Sequence, residues 1–248
     1  MTEAYAAHSA DSLTGRVHSI QSMGTLDGPG VRFVIFTQGC PLRCKCCHNP
    51  DTWDVDGGKL YTPADLVTRA LRFREYFGAD GGVTVSGGEP LLQAAFVTEI
   101  FRLCHEAGLH TCLDTSGCIL SDEVKALLAH TDRVLLDVKY TTDAAYRAYV
   151  GCGMGTPMAF LDYLEAQRIP TTLRQVIIPT VNQTEEQVLV LRGIAEAHAN
   201  VDKVELLPFR KICQVKYDSL GMEFPFAHIP EPSRADMSRL ERVLGLYA

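Results

Sequence analysis

An open α/β fold of six strand–helix units, a partial (β/α)6 barrel, is what this sequence predicts, and three observations lead there. Six short apolar runs rich in β-branched residues recur along the chain, each the length of a strand buried on both faces. Helical patterns with recognisable caps lie between them. The regular alternation calls for a parallel sheet with right-handed crossovers, and six units are too few for a full eight-stranded barrel.

The elements follow in order. An extra strand is expected around residues 16–22, and the six core strands at 32–37, 83–86, 110–114, 133–138, 172–178 and 203–207. Thr62 and Pro63 open a helix as N-cap and first-turn proline. Another covers residues 93–107 and stops at Gly108, a residue that takes the left-handed turn at a helix end at little cost. Ser121 opens a third; residues 157–168, 184–200 and 232–246 carry the same periodicity. The segment 209–232, rich in Pro and turn residues, is expected to be mobile or to face a partner.

Length and composition set the frame. A chain of 248 residues with 46% hydrophobic residues can bury a large core, and residues 15–248 are expected to form a single domain after a flexible tail, 1–14. The net charge of −7 argues against nucleic acid, which is bound through clustered Lys and Arg. Nine cysteines at irregular spacing fit a reducing compartment better than a disulfide framework. The first 14 residues lack the basic start and apolar centre of a secretory leader, and no apolar stretch approaches bilayer length. A cytoplasmic protein with no membrane partner is expected.

Three of the cysteines carry chemistry. Cys40, Cys44 and Cys47 stand in Cys-x3-Cys-x2-Cys spacing just after the first core strand. Three thiolates leave a four-iron cluster one ligand short, so that one iron is open to a substrate. The alternative is non-catalytic: a structural zinc, with His48 completing a tetrahedral shell, or an electron carrier. Against zinc stands the absence of a second Cys-x2-Cys or His-x3-5-His pair downstream. The other motifs fall at strand ends, where barrels of this kind gather their chemistry: Gly87, Gly88 and Glu89 after the second core strand, Asp114 and Thr115 after the third, Asp137 to Lys139 after the fourth. Asp114, Thr115 and Asp137 form an oxygen-rich set suited to a hard cation.

Taken together, Asp27-Gly-Pro-Gly30, Gly39-Cys-Pro-Leu-Arg-Cys-Lys-Cys-Cys-His48, Asn49-Pro-Asp-Thr-Trp-Asp54, Ser86-Gly-Gly-Glu-Pro90, Thr111-Cys-Leu-Asp-Thr-Ser-Gly117 and Leu136-Asp-Val-Lys139 resemble the radical S-adenosylmethionine (SAM) superfamily. Within it the chain resembles the glycyl-radical activating enzymes, most closely the branch that acts on pyruvate formate-lyase. The resemblance implies a TIM-like partial barrel of the radical SAM type, with a [4Fe-4S] cluster on Cys40, Cys44 and Cys47. SAM contacts would come from Cys46, Cys47, His48, Gly88, Asp137, Val138 and Lys139, and a monovalent cation would sit on Asp114, Thr115 and Asp137. No catalytic side chain is expected beyond the cluster and SAM site. The implied substrate is the glycine loop of pyruvate formate-lyase, and the implied reductant a flavodoxin or ferredoxin-type protein.

Two positions depart from the family pattern. Cys46 stands where an aromatic residue is usual, and Arg210 where a histidine is. Activators of other glycyl-radical enzymes remain open as alternatives. Many carry an inserted ferredoxin-like domain with extra cysteines, whereas no cysteine lies between His48 and Ser86 here.

Overall fold

The computed structural model describes residues 13–245, so most of the expected N-terminal tail and Leu246 of the last helix lie outside the described residues. The chain divides into two compact units. Met1–Cys40, Asp54–Asp114 and Ser121–Asp132 form one; Pro41–Trp53, Thr115–Leu120 and Arg133–Ala248 form the other.

In the first unit the strands are β1 (Gly15–Gly24), β2 (Arg32–Thr37), β3 (Lys59–Tyr61), β4 (Gly82–Gly87) and β5 (His110–Thr115), ordered β3-β1-β2-β4-β5. β1 runs antiparallel to both of its neighbours. β2, β4 and β5 are parallel, with Phe36 opposite Ser86 and Thr84 opposite Cys112. Burial explains the continuous apolar runs: Phe33, Val34, Ile35, Val83, Val85 and Leu113 are shut off from water, as strands covered on both faces require.

Four helices belong to this unit: α1 (Pro63–Leu71), α2 (Arg74–Phe77), α3 (Ala94–Glu106) and α4 (Asp122–Leu128). The caps read from sequence form as expected, Thr62 accepting from the Asp65 N–H and Ser121 from the Val124 N–H. The inner face of α3 is Phe96, Val97, Ile100, Phe101 and Cys104, spaced three and four residues apart. Gly108 takes φ +67° directly after it. At the start of β2, Arg32 is fully buried and fully engaged. Its Nε donates to Thr84 Oγ1 at 2.9 Å, one terminal nitrogen to the Val83 carbonyl at 2.6 Å, and the other to the Asp80 carbonyl and His110 Nδ1, each at 3.2 Å.

The second unit holds β6 (Arg133–Asp137), β7 (Thr171–Ile177) and β8 (Val201–Pro208), all parallel, with Asp137 opposite Arg174 and Gln175 opposite Leu206. Its helices are α5 (Asp143–Tyr149), α6 (Gly155–Ala166), α7 (Glu185–Glu196), α8 (Gln214–Ser219) and α9 (Arg234–Leu244). Thr184 and Ser233 cap α7 and α9.

Four elements were not read from the sequence. β3, α2, α5 and α8 are all short, and α5 and α8 each bury a single residue, Tyr146 and Tyr217, too little for a period to show. The segment 209–232, expected to be mobile or to face a partner, packs through aromatic side chains. Tyr217 lies 4.8 Å from Phe224 between ring centroids, and Phe209 6.1 Å from Phe224 and 6.2 Å from Phe226. Ile212 and Val215 of this segment are nonetheless largely exposed.

Candidate active site

Each unit carries part of the predicted site. In the first, β2 ends at Thr37 and leads through Gly39, at φ +94°, to Cys40. The glycine motif after β4 is laced to this exit: the Gly88 N–H bonds the Thr37 carbonyl at 3.0 Å and the Glu89 N–H bonds the Gly39 carbonyl at 2.8 Å. Gly87 has φ +122°, and a Cβ there would stand 2.2 Å from the Thr37 nitrogen. Close backbone packing therefore requires that glycine, independently of any ligand. The Ser86 hydroxyl donates to Asp114 at 2.7 Å and fixes its buried carboxylate.

The second unit holds the rest of the cysteine loop. The Arg43 and Lys45 N–H groups bond the carbonyls of Val150 and Tyr149, at 3.1 and 2.8 Å, so residues on both sides of Cys44 hang on the C-terminal end of α5. Those carbonyls have no partner within their own helix, which makes them available. The Lys45 ammonium lies over the Tyr149 ring, 5.2 Å from its centroid. The Cys47 N–H closes a turn onto the Cys44 carbonyl at 3.0 Å.

Cys47 is also held at its sulfur. The Asn49 N–H donates to Cys47 Sγ at 3.4 Å, and the Trp53 indole donates to the same thiol. Trp53 packs the loop, with the Arg43 guanidinium 5.0 Å above its ring and the Tyr217 ring edge-on at 6.1 Å. Lys216 Nζ donates to Asn49 Oδ1 at 2.7 Å and pairs with Asp51 at 3.0 Å.

Burial pushes the Cys46 thiol up to about 11. It pushes the Cys47 thiol up too, with the Asn49 and Trp53 bonds opposing. His48 Nε2 meets the Arg210 backbone carbonyl at 3.0 Å, and desolvation holds its pKa below the usual histidine value, so the neutral ring donates there. The Arg210 side chain turns to Glu231 at 2.7 Å.

At the end of β6, Asp137 takes two cations. Lys139 Nζ donates to its Oδ2 at 2.6 Å and Arg174 Nε to its Oδ1 at 3.1 Å. Burial alone would raise the carboxyl; the charges and hydrogen bonds of Lys139 and Arg174 outweigh it and keep the pKa below the usual range. Val138 is woven into the sheet, its N–H on the Arg174 carbonyl and its carbonyl on the Gln175 amide. The Lys139 N–H donates to the Tyr146 hydroxyl at 3.0 Å. Thr115 Oγ1 accepts from the Gly117 N–H at 3.1 Å.

None of the nine cysteines is joined in a disulfide. Among the described residues no three His, Cys, Asp or Glu side chains stand in the geometry of a metal-ion site. The donor set of the loop is nonetheless soft sulfur, the chemistry that suits an iron–sulfur cluster, and the backbone on either side of Cys44 is held by the α5 carbonyls. Sequence reasoning missed Arg174 as the second partner of Asp137, and it missed the tyrosines Tyr140, Tyr146, Tyr149 and Tyr217. Three of these lie on or beside the short α5 and one on α8, where no periodicity marks them.

The comparisons with known proteins agree with this chemistry. The model of the 4Fe-4S single cluster domain family matches residues 26–151. Among solved structures, a radical SAM methyltransferase from Sphaerobacter thermophilus is similar in fold, with a TM-score of 0.62 at 18% identity, covering 86% of this chain and 63% of that one. The fold is thus the α/β partial-barrel class of the radical SAM enzymes. The pyruvate formate-lyase-activating enzyme of Clostridium pasteurianum is 43% identical over 93% of this chain and 97% of its own length. The pyruvate formate-lyase 1-activating enzyme of Escherichia coli K12 is 38% identical over 95% and 97%. The chain belongs to the family of pyruvate formate-lyase-activating enzymes.

Proposed function

We propose that this protein activates pyruvate formate-lyase by taking a hydrogen atom from a backbone glycine of that enzyme, leaving a glycyl radical. The observation that carries the reading is the Cys-x3-Cys-x2-Cys loop, set in a chain 43% identical to a named activating enzyme over nearly its whole length. When bound, a [4Fe-4S] cluster would supply one electron to the SAM sulfonium, and the carbon radical so released would take the glycine hydrogen.

In this reading Cys40, Cys44 and Cys47 hold the cluster, and Cys46, Cys47, His48, Gly88, Asp137, Val138 and Lys139 line the SAM site. Lys139 is a fixed positive charge for the SAM carboxylate, oriented by Asp137 below and by the Tyr146 hydroxyl at its own N–H. His48, neutral and bonded to the Arg210 carbonyl, presents a ring face without charge. A monovalent cation on Asp114, Thr115 and Asp137 would compete with Lys139 or Arg174 for the Asp137 oxygens. Glycine suits the reaction because its Cα carries no side chain to block approach.

Residues 15–248 would act as one radical SAM core in the cytoplasm, reduced by a flavodoxin or ferredoxin-type protein. No helix among the described residues is long and apolar enough to cross a membrane.

The test is anaerobic reconstitution of the wild type and four variants. Cys40→Ala, Cys44→Ala and Cys47→Ala are expected to lose iron, sulfide and SAM cleavage together, since each thiolate holds one iron. Cys46→Ala keeps all three, because Cys46 would meet SAM through its backbone and not its thiol. Collapse in Cys46→Ala with retention in any of the others overturns the ligand assignment, and zinc without sulfide in the wild type supports the non-catalytic rival. Equal SAM cleavage in sodium, potassium and bulky-ammonium buffers, with Asp114→Ala unaffected, removes the cation site.

A further inference from the structure

Two tyrosine hydroxyls are buried beside the cysteine loop with nothing to bond. Tyr140 is 3% exposed and Tyr217 fully buried, and neither hydroxyl has a hydrogen-bond partner among the described residues. Buried polar groups are almost always paired, because leaving one unpaired forfeits its hydration without return. The amides of Gln175 and Asn200 also leave an oxygen unpaired, but each bonds through its nitrogen. A tyrosine has only its hydroxyl, so the whole polar function of these two side chains is unused.

Their surroundings say where they belong. Tyr140 stacks on Tyr149 at 5.2 Å, and the Tyr149 carbonyl holds the Lys45 N–H between Cys44 and Cys46. Tyr217 stands edge-on to Trp53, whose indole bonds the Cys47 thiol, and the neighbouring Lys216 grips Asn49 and Asp51 just beyond Cys47. The Tyr140 ring thus packs behind the backbone anchor between Cys44 and Cys46, and the Tyr217 ring against the tryptophan that bonds Cys47.

We propose that Tyr140 and Tyr217 are positioning residues whose hydroxyls donate hydrogen bonds to the sulfurs held by Cys44 and Cys47 when the loop is loaded. The proposal rests on the cluster reading of that loop. A hydrogen bond to a cluster sulfur favours the more negative, reduced state, and such bonds are among the factors that set iron–sulfur potentials. The two phenols would make the site easier to reduce while adding no net charge beside the SAM pocket.

The experiment is an anaerobic redox titration followed by electron paramagnetic resonance. It uses the full chain reconstituted with iron and sulfide: wild type, Tyr140→Phe, Tyr217→Phe, and chains carrying 3,5-difluorotyrosine at either position. Each Phe variant is expected to shift the one-electron equilibrium about tenfold toward the oxidised cluster, about 59 mV lower. The fluorinated phenol, a stronger donor of nearly the same shape, shifts it the opposite way. A merely structural tyrosine would not reverse sign, and the fluorinated chains decide the matter where a Phe variant fails to retain the cluster. Unchanged midpoints in fluorinated chains that hold normal iron and sulfide and cleave SAM overturn this inference while leaving the proposed function intact. A wild type that assembles no cluster overturns both.

Discussion

Arg32 and Tyr217 are both fully buried, yet they are treated in opposite ways. The guanidinium at the start of β2 finds a hydroxyl, four backbone carbonyls and a histidine nitrogen, so that burying a charge there is compensated bond by bond. Burial still draws its pKa down, while Cys112 and Asp132 oppose. The phenol beside the cysteine loop finds no partner. The first pattern is what a polar group looks like when its purpose is to hold strands together. The second is what it looks like when its partner arrives later. Asp137 stands between the two, fully paired with Lys139 and Arg174 but at a strand end where a ligand can compete for them.

That contrast can be broken by substitution in the protein without metal. Arg32→Met strips the Thr84 hydroxyl and the Val83 and Asp80 carbonyls of their donor, and should cost about 3 kcal/mol or more of unfolding free energy in a urea titration. A loss under about 1 kcal/mol would mean that the bonds around Arg32 are incidental.

Asp137→Ala should cost less, about 2 to 3 kcal/mol at neutral pH, because the side chain keeps 21% exposure while its removal takes one partner from both Lys139 and Arg174. Its pH dependence has a defined sign. The folded pKa lies below the unfolded value, so the contribution is complete above about pH 4 and fades as pH falls through the folded value. Wild type and Asp137→Asn should therefore converge in stability on acidification. Curves that stay parallel down to strongly acidic pH would contradict the pairing.

Tyr217→Phe and Tyr140→Phe are the smallest and the most telling. With no bond to lose, each should leave apo stability unchanged or raise it by up to about 1 kcal/mol, since an unpaired hydroxyl is removed from the interior. Destabilisation beyond about 1 kcal/mol would show that the hydroxyls are paired in solution.

Much of the fold was legible because it rests on burial. The first core strand was placed at residues 32–37 and forms there, and the other five differ by one to three residues at their ends, since continuous apolar runs are what strands covered on both faces need. α6 begins two residues before Pro157, which occupies its first turn. What stayed hidden was short. α5 carries one buried side chain, and its importance lies in the Tyr149 and Val150 carbonyls that hold the cysteine loop, a backbone function that no residue type announces.

The candidate site divides in the same way. The thiols, Asp137 and Lys139 could be named as candidates because their chemistry is written in the side chain and its spacing. Tyr140 and Tyr217 were not, because an aromatic residue reads as core until its hydroxyl is seen to be alone. Gly87 was placed with the other motifs at a strand end, and its packing against the Thr37 backbone requires a glycine there.

The central claim is that this loop generates a radical on a protein glycine. Its most direct test is electron paramagnetic resonance of the anaerobic, reconstituted protein mixed with reductant, SAM and pyruvate formate-lyase. The account predicts a doublet signal from a glycyl radical on the partner, absent when the target glycine is replaced by alanine. SAM cleavage at full rate with no radical on the partner, or with a small molecule modified in its place, would contradict it.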